Sequence, residues 1–155
     1  MNKNGVSIIE ILITLSIAFL IFGISSFGYR EWQTRVQLTN DRDELKSVLL
    51  RVQQLATAAA GGTSWGLHLE ADRYMMFAGD YYDENNPNNR TWSLNGSQIL
   101  NASSTFADGA GGFIPDTVFA KFSGETYNTG TIALAPLITT STTKIINVAE
   151  SGQIY

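Results

Sequence analysis

The 155-residue chain contains no cysteine. That excludes a disulfide framework, a thiolate metal site and a lipid-modified cysteine. It holds one histidine, His68. Strand parity sets His68 opposite Trp65, Leu67 and Leu69, toward solvent or a second layer, and the sequence places no catalytic partner beside it. Ser151-Gly152 and Gly66 form no nucleophile elbow. Asp108-Gly-Ala-Gly-Gly112 lacks the Lys-Ser/Thr pair of a phosphate loop. No enzymatic activity and no cofactor are expected. Basic residues are also scarce: from Gly61 onward Arg73, Arg90, Lys121 and Lys144 oppose nine carboxylates. Such a region has no basic stripe to track phosphates, so nucleic acid is not an expected partner.

Charge is missing from one long stretch as well. Residues 6–29 form an apolar run interrupted by a single carboxylate, Glu10, and preceded only by Met1-Asn-Lys-Asn-Gly5. As a helix the run rises about 36 Å, enough to cross a hydrocarbon core of roughly 30 Å. A secretory signal peptide would be shorter and would end at a small-residue cleavage motif. This run passes Ser25-Ser26 and Gly28 straight into Tyr29-Arg30-Glu31-Trp32. A membrane anchor is the better reading. A carboxylate inside it costs at least ~2.5 kcal/mol and by default marks function. Lys3 favours a cytoplasmic amino end, while Arg30 and Arg35 on the other flank oppose that orientation.

No loop signal follows the anchor. Leu45, Val48, Leu49, Val52, Leu55, Ala56 and Ala59 recur with helical period and form one apolar stripe. Trp32 and Val36 carry the stripe back toward the anchor. One helix is expected from Val6 to about Ala60, with a soft point at Thr39-Asn40-Asp41 and an end at Gly61-Gly62. Beyond it the period changes to two. Residues 65–69 and 73–77 read as a hairpin, and residues 80–90 as a polar loop. Asn95-Gly96 between residues 91–94 and 97–100 reads as a two-residue hairpin turn, with Trp92 opposite Ile99. Residues 117–122, 131–135 and 144–148 read as further strands, and residues 150–155 as a closing turn and edge strand. The fold class is α+β: a long N-terminal helix packed on a mostly antiparallel sheet of about six or seven strands.

The beginning of the chain carries the most specific pattern: Lys3-Asn4-Gly5, then Val6-Ser7-Ile8-Ile9-Glu10-Ile11-Leu12. This resembles the amino terminus of the type IV prepilins and type II secretion pseudopilins. The resemblance implies a leader of residues 1–5, cleavage between Gly5 and Val6 by a prepilin peptidase, N-methylation of Val6, and Glu10 as the fifth mature residue, an assembly carboxylate. Residues 6–29 would be the transmembrane and filament-core helix, 30–60 its amphipathic continuation, and 61–155 the β-rich head. Val6 stands where the family usually has Phe, Ser7 where Thr is common, and Phe27 in the place of a frequent kinking Pro. The hairpin at residues 65–77, the strand at 131–135 and the closing Ser151-Gly-Gln-Ile154 look like the H-type, FimT-like minor pseudopilin head.

Implied partners are other pilin or pseudopilin subunits, the peptidase and an inner-membrane assembly platform. The implied location is the bacterial inner membrane, with a single pass and an extracytoplasmic head before assembly into a filament. Pilus and secretion pseudopilus both remain open. Two alternatives stand beside this: a membrane-tethered extracytoplasmic binding module with an uncleaved signal anchor, and a DNA-uptake minor pilin, which the acidic head disfavours. Asp80, Asp83 and Glu84 are hard-oxygen candidates for calcium, as in loops of some related pseudopilins, but their spacing matches no EF-hand and a solvated Asn-rich loop is the simpler explanation.

Overall fold

A computed structural model describes residues 7–100, 105–107, 113–126, 128–137 and 142–155. Gly5 and Val6, the Asp108-to-Gly112 loop and residues 139–141 therefore lie outside the described residues. Two compact units make up the chain, Met1–Arg35 and Val36–Tyr155. The first is helical from Ile8, and the helix α1 runs Ile8–Thr57 without a break. The expected soft point at Thr39-Asn40-Asp41 is regular helix. Asp41 is buried there and accepts a hydrogen bond from the Ser97 hydroxyl, so it serves packing rather than capping.

The helix stops before Gly61-Gly62. Ala59 turns left-handed (φ 48°), and Ala60–Gly62 follow as a single 3-10 turn. Tertiary partners take the carbonyls around the helix end: Phe122 N–H donates to Ala56 O at 3.0 Å and the Trp65 indole N–H to Ala60 O at 2.8 Å. A left-handed alanine carries a modest steric cost, which these bonds offset.

Among the described residues nine strands follow, all paired antiparallel. One sheet has the order β3-β2-β1-β7, from Arg90–Ser93, Arg73–Ala78, Trp65–Leu69 and Asp116–Phe119. The other has the order β4-β8-β5-β6, from Ser97–Ile99, Thr129–Pro136, Thr105–Ala107 and Phe113–Ile114. The fifth strand of this sheet, β9 (Lys144–Val148), also pairs with β8. The hairpin of β1 and β2 forms as its alternation predicts, with Leu67 opposite Met76 and Leu69 opposite Tyr74. Arg73 closes its turn on Glu70 at 2.6 Å.

The helix stripe, extended by Leu38, packs into one buried cluster with both sheets. Leu45, Val48, Leu49, Val52 and Ala56 meet Leu67, Leu69, Tyr74, Met76 and Phe119 from the first sheet and Ile99, Phe106, Ile132, Leu134, Ile146 and Val148 from the second. Burying each larger side chain contributes roughly 1.5–3 kcal/mol. β2 is buried on both faces, from Tyr74 to Phe77. Its outward side is covered by Tyr82, whose ring meets Phe77 edge-on at 5.6 Å.

The Asn95-Gly96 hairpin does not form. β3 pairs with β2 and β4 with β8, so the chain crosses from one sheet to the other at this dipeptide. A type I′ turn needs positive φ at both positions, and only Gly96 (φ 95°) has it. Long-range partners override the local signal. Trp92 lies opposite Tyr74 and stacks on it at 5.9 Å, instead of facing Ile99. Leu94 N–H donates to Asp72 O and Ile99 N–H to Ala71 O. A second difference is at residues 117–122: β7 ends at Phe119, and Phe122 sits at φ 71° in the turn that reaches the helix end. The closing segment is a turn with a single bridge, Val148 to Ile154.

Candidate assembly site

Glu10 lies in the first turn of α1, where its backbone N–H donates to Ser7 O at 3.1 Å. A carboxylate here complements the positive end of the helix dipole. Around it the helix is bare. Every large apolar side chain from Ile8 to Phe22 is at least 48% exposed. The polar interruptions are satisfied internally: Thr14 Oγ1 donates to Ile11 O at 2.9 Å, and Ser16 Oγ to Leu12 O at 2.7 Å. No described cation pairs with Glu10. A helix apolar on all sides must be covered by something outside itself.

Among the described residues no helix is long and apolar enough to cross a membrane. Gly5 and Val6, the expected cleavage pair, lie outside the described residues.

In the second unit, helix residues hold the loops of the head. Gln53 Nε2 donates to Gly152 O at 2.9 Å and to Gly124 O at 3.3 Å. Both glycines have positive φ, 79° and 69°. The sequence marks Ser151-Gly152 only as a turn. Its role in the helix clasp depends on a partner 99 residues away. The Asp41–Ser97 bond was equally invisible, because an acid on an amphipathic helix reads as part of the solvated face.

His68 ties the first sheet together on the face away from the helix. Its Nδ1 lies 2.5 Å from Asp116 Oδ1, and its Nε2 3.9 Å from Glu70 Oε1. The ring stacks on Tyr82 at 4.0 Å. Of the two positions expected for it, this is the second layer. The group links β1, β7 and the polar loop. The Tyr82 phenol is raised above its ordinary value by burial and by the neighbouring Glu84 and Glu70 carboxylates. Arg73 is raised by its hydrogen bond and charge attraction to Glu70.

The calcium candidates do not converge. Among the described residues no group of three or more acidic or histidine side chains is arranged to hold a metal ion. Asp83 Oδ1 instead accepts from Asn85 N–H at 3.0 Å, its carbonyl accepts from Asn89 Nδ2 at 2.7 Å, and Asn86 Oδ1 accepts from Asn88 N–H at 3.0 Å. Asp80 lines a cleft with Tyr81, Asp116 and Asn128. Glu84 is exposed. Side-chain-to-backbone turns organise the Asn-rich loop.

No protein-family model matches the chain, and no curated protein sequence does. Solved structures do. The type IV minor pilin FimU of Pseudomonas aeruginosa superposes with a TM-score of 0.55 at 12% identity, over 76% of this chain and 90% of that one. The minor pseudopilin EpsH from the type II secretion system of Vibrio cholerae superposes with a TM-score of 0.54 at 16% identity, over 77% of this chain and 92% of that one. A second EpsH structure gives 0.53 at 16% identity, over 77% and 94%. With its long amino-terminal helix and antiparallel head, the chain has the pilin-like fold shared by these minor pilin and minor pseudopilin structures.

Proposed function

We propose that this chain is a prepilin, a minor subunit of a type IV pilus or type II secretion pseudopilus, that acts by assembly and not by catalysis. It is inserted in the bacterial inner membrane through residues 6–29, with the head outside the cytoplasm. A prepilin peptidase cleaves between Gly5 and Val6, and Val6 is N-methylated. An inner-membrane platform then hands the subunit to the growing filament. The observation that carries this reading is the helix around Glu10: apolar on every side, uncovered, and charged at one point in its first turn.

Cleavage would create an α-amine five residues before that carboxylate counted inclusively, at Val6. Within one helix the pair is poorly placed, since the amine sits at the helix end. Between staggered neighbours Glu10 of one subunit meets the Val6 amine of the next. Each charge alone is costly to bury, and together they offset one another and set register.

Co-expression with a prepilin peptidase tests the first step. The expected product begins at Val6, lacks residues 1–5 by mass, and carries a methyl group. An intact amino terminus under those conditions favours the tethered module with an uncleaved anchor.

A further inference from the structure

The apolar surface of α1 ends at two aromatic side chains. Tyr29 and Trp32 are 61% and 62% exposed, although they lie one turn apart on the same side of the helix and touch, ring centroids 6.1 Å apart and tilted by 39°. Nothing else in the described structure is stacked on them. Arg30 follows Tyr29 directly, and Arg35 forms an exposed ion pair with Glu31 at 2.6 Å. Rings with an apolar body and a polar tip, beside guanidinium groups, match a headgroup layer: the rings reach acyl chains and the polar atoms reach phosphate and water.

The helix is continuous from Ile8 through this point, so residue number converts to depth. Glu10 and Trp32 are separated by about 33 Å along the axis at ~1.5 Å per residue. A typical tilt of about 20° reduces the vertical separation to about 31 Å. The hydrocarbon core is roughly 30 Å thick. A carboxylate this far from the aromatic pair cannot lie near the middle of the bilayer.

Resting on the proposed membrane span, we propose that Tyr29 and Trp32 seat α1 in the outer headgroup layer and thereby hold Glu10 at the inner headgroup layer, not in the hydrocarbon. The carboxylate of the membrane-resident subunit is then hydrated. It loses water only when the helix leaves the lipid and enters the filament, where the Val6 amine of a neighbour replaces it. The aromatic pair acts as a depth stop that keeps the charge out of hydrocarbon before assembly.

The absence of cysteine makes the test clean, since each introduced thiol reports one site. Ile11→Cys, Ile21→Cys and Gln33→Cys would each be spin-labelled in the full chain, in vesicles of phosphatidylethanolamine and phosphatidylglycerol. Relative accessibility to oxygen and to a water-soluble nickel chelate gives depth. The expected profile is deepest at residue 21, with residues 11 and 33 both at headgroup level. In the Tyr29→Ala/Trp32→Ala double variant the profile should shift by several ångströms. A label at residue 11 deeper than the one at residue 21 would overturn the proposal, as would a profile that the double variant leaves unmoved. Labels at residue 33 shielded from both reagents would mean that a second subunit covers the pair, and would overturn lipid as its partner. If all three labels stay water-accessible, the span itself is wrong, an outcome distinct from a span with a different depth.

Discussion

The amide of Gln53, on the helix, donates to the carbonyl of Gly152, 99 residues later, at 2.9 Å. The approach is close enough that a β-carbon on Gly152 would stand 2.1 Å from Gly124 O and 2.5 Å from Gln53 Nε2. Helix and closing turn are therefore locked by one side chain and two glycines. Gly152→Ala meets both a backbone clash and a left-handed φ of 79°, and is expected to destabilise by at least ~2 kcal/mol. Gln53→Ala removes two hydrogen bonds and should lose about 1–2 kcal/mol. Thermal unfolding of the full chain, followed by near-ultraviolet circular dichroism, reads both. A Gly152→Ala transition equal to that of the parent would show that the turn is not held against the helix.

Gly66 stands opposite Phe77 across β1 and β2. The Phe77 ring lies where a side chain at 66 would be, 2.3 Å from the built β-carbon. The ring in turn supports Tyr82 and the His68 stack. Gly66→Ala should cost about 1–3 kcal/mol by overpacking. Adding Phe77→Leu should recover part of that loss, because a smaller side chain can yield. Additive losses in the double variant, measured by denaturant midpoint, would contradict the contact.

Tyr74 is buried, and its phenol is raised well above its ordinary value by that burial and by the fields of Glu44 and Asp41. The folded state thus holds this proton more tightly than the unfolded chain. Its contribution is fully present below about pH 10, the ordinary phenol range, and is lost as pH rises beyond it. Tyr74→Phe should flatten the fall of Tm between about pH 9.5 and 11.5 while changing neutral stability little. Parallel pH profiles for the two proteins would contradict the burial argument.

Asp41 and Ser97 are both buried and bonded to each other, joining the helix to the start of β4. Ser97→Ala leaves the carboxylate without this donor and should destabilise by about 1–3 kcal/mol. Asp41→Asn keeps a partner for the hydroxyl and should cost less. Hydrogen exchange at Gln98 and Ile99, which follow the bond, should rise in Ser97→Ala. Unchanged exchange there would show that the bond does not hold β4.

Periodicity made the helix legible, because its buried stripe repeats with the helical turn over residues 45–56, and the β1–β2 hairpin was legible from its alternation. The sheet partners of β3 and β4 were not. Asn95-Gly96 favours a tight turn locally, but Tyr74 offers Trp92 a stacking partner and β8 offers β4 a ladder, and both come from distant sequence. Of the candidate site, Glu10 was legible because a charge in an apolar run is a local anomaly. The Gln53 and Asp41 anchors were not, because a polar residue on an amphipathic helix looks the same whether it faces water or a loop. The helix ends at Thr57, a few residues short of the expected Ala60, for a related reason: tertiary donors take the carbonyls at Ala56 and Ala60, which no local rule places there.

The central claim is that Glu10 is an assembly group. Glu10→Ala expressed with the peptidase, platform and partner subunits of a pilus or pseudopilus tests it most directly. Cleavage after Gly5 and the amount of mature chain in the membrane should match the parent. The fraction recovered with sheared filaments should fall at least about tenfold, the equivalent of ~1.4 kcal/mol. Recovery equal to the parent would contradict the account and leave Glu10 as an acid tolerated at the membrane edge.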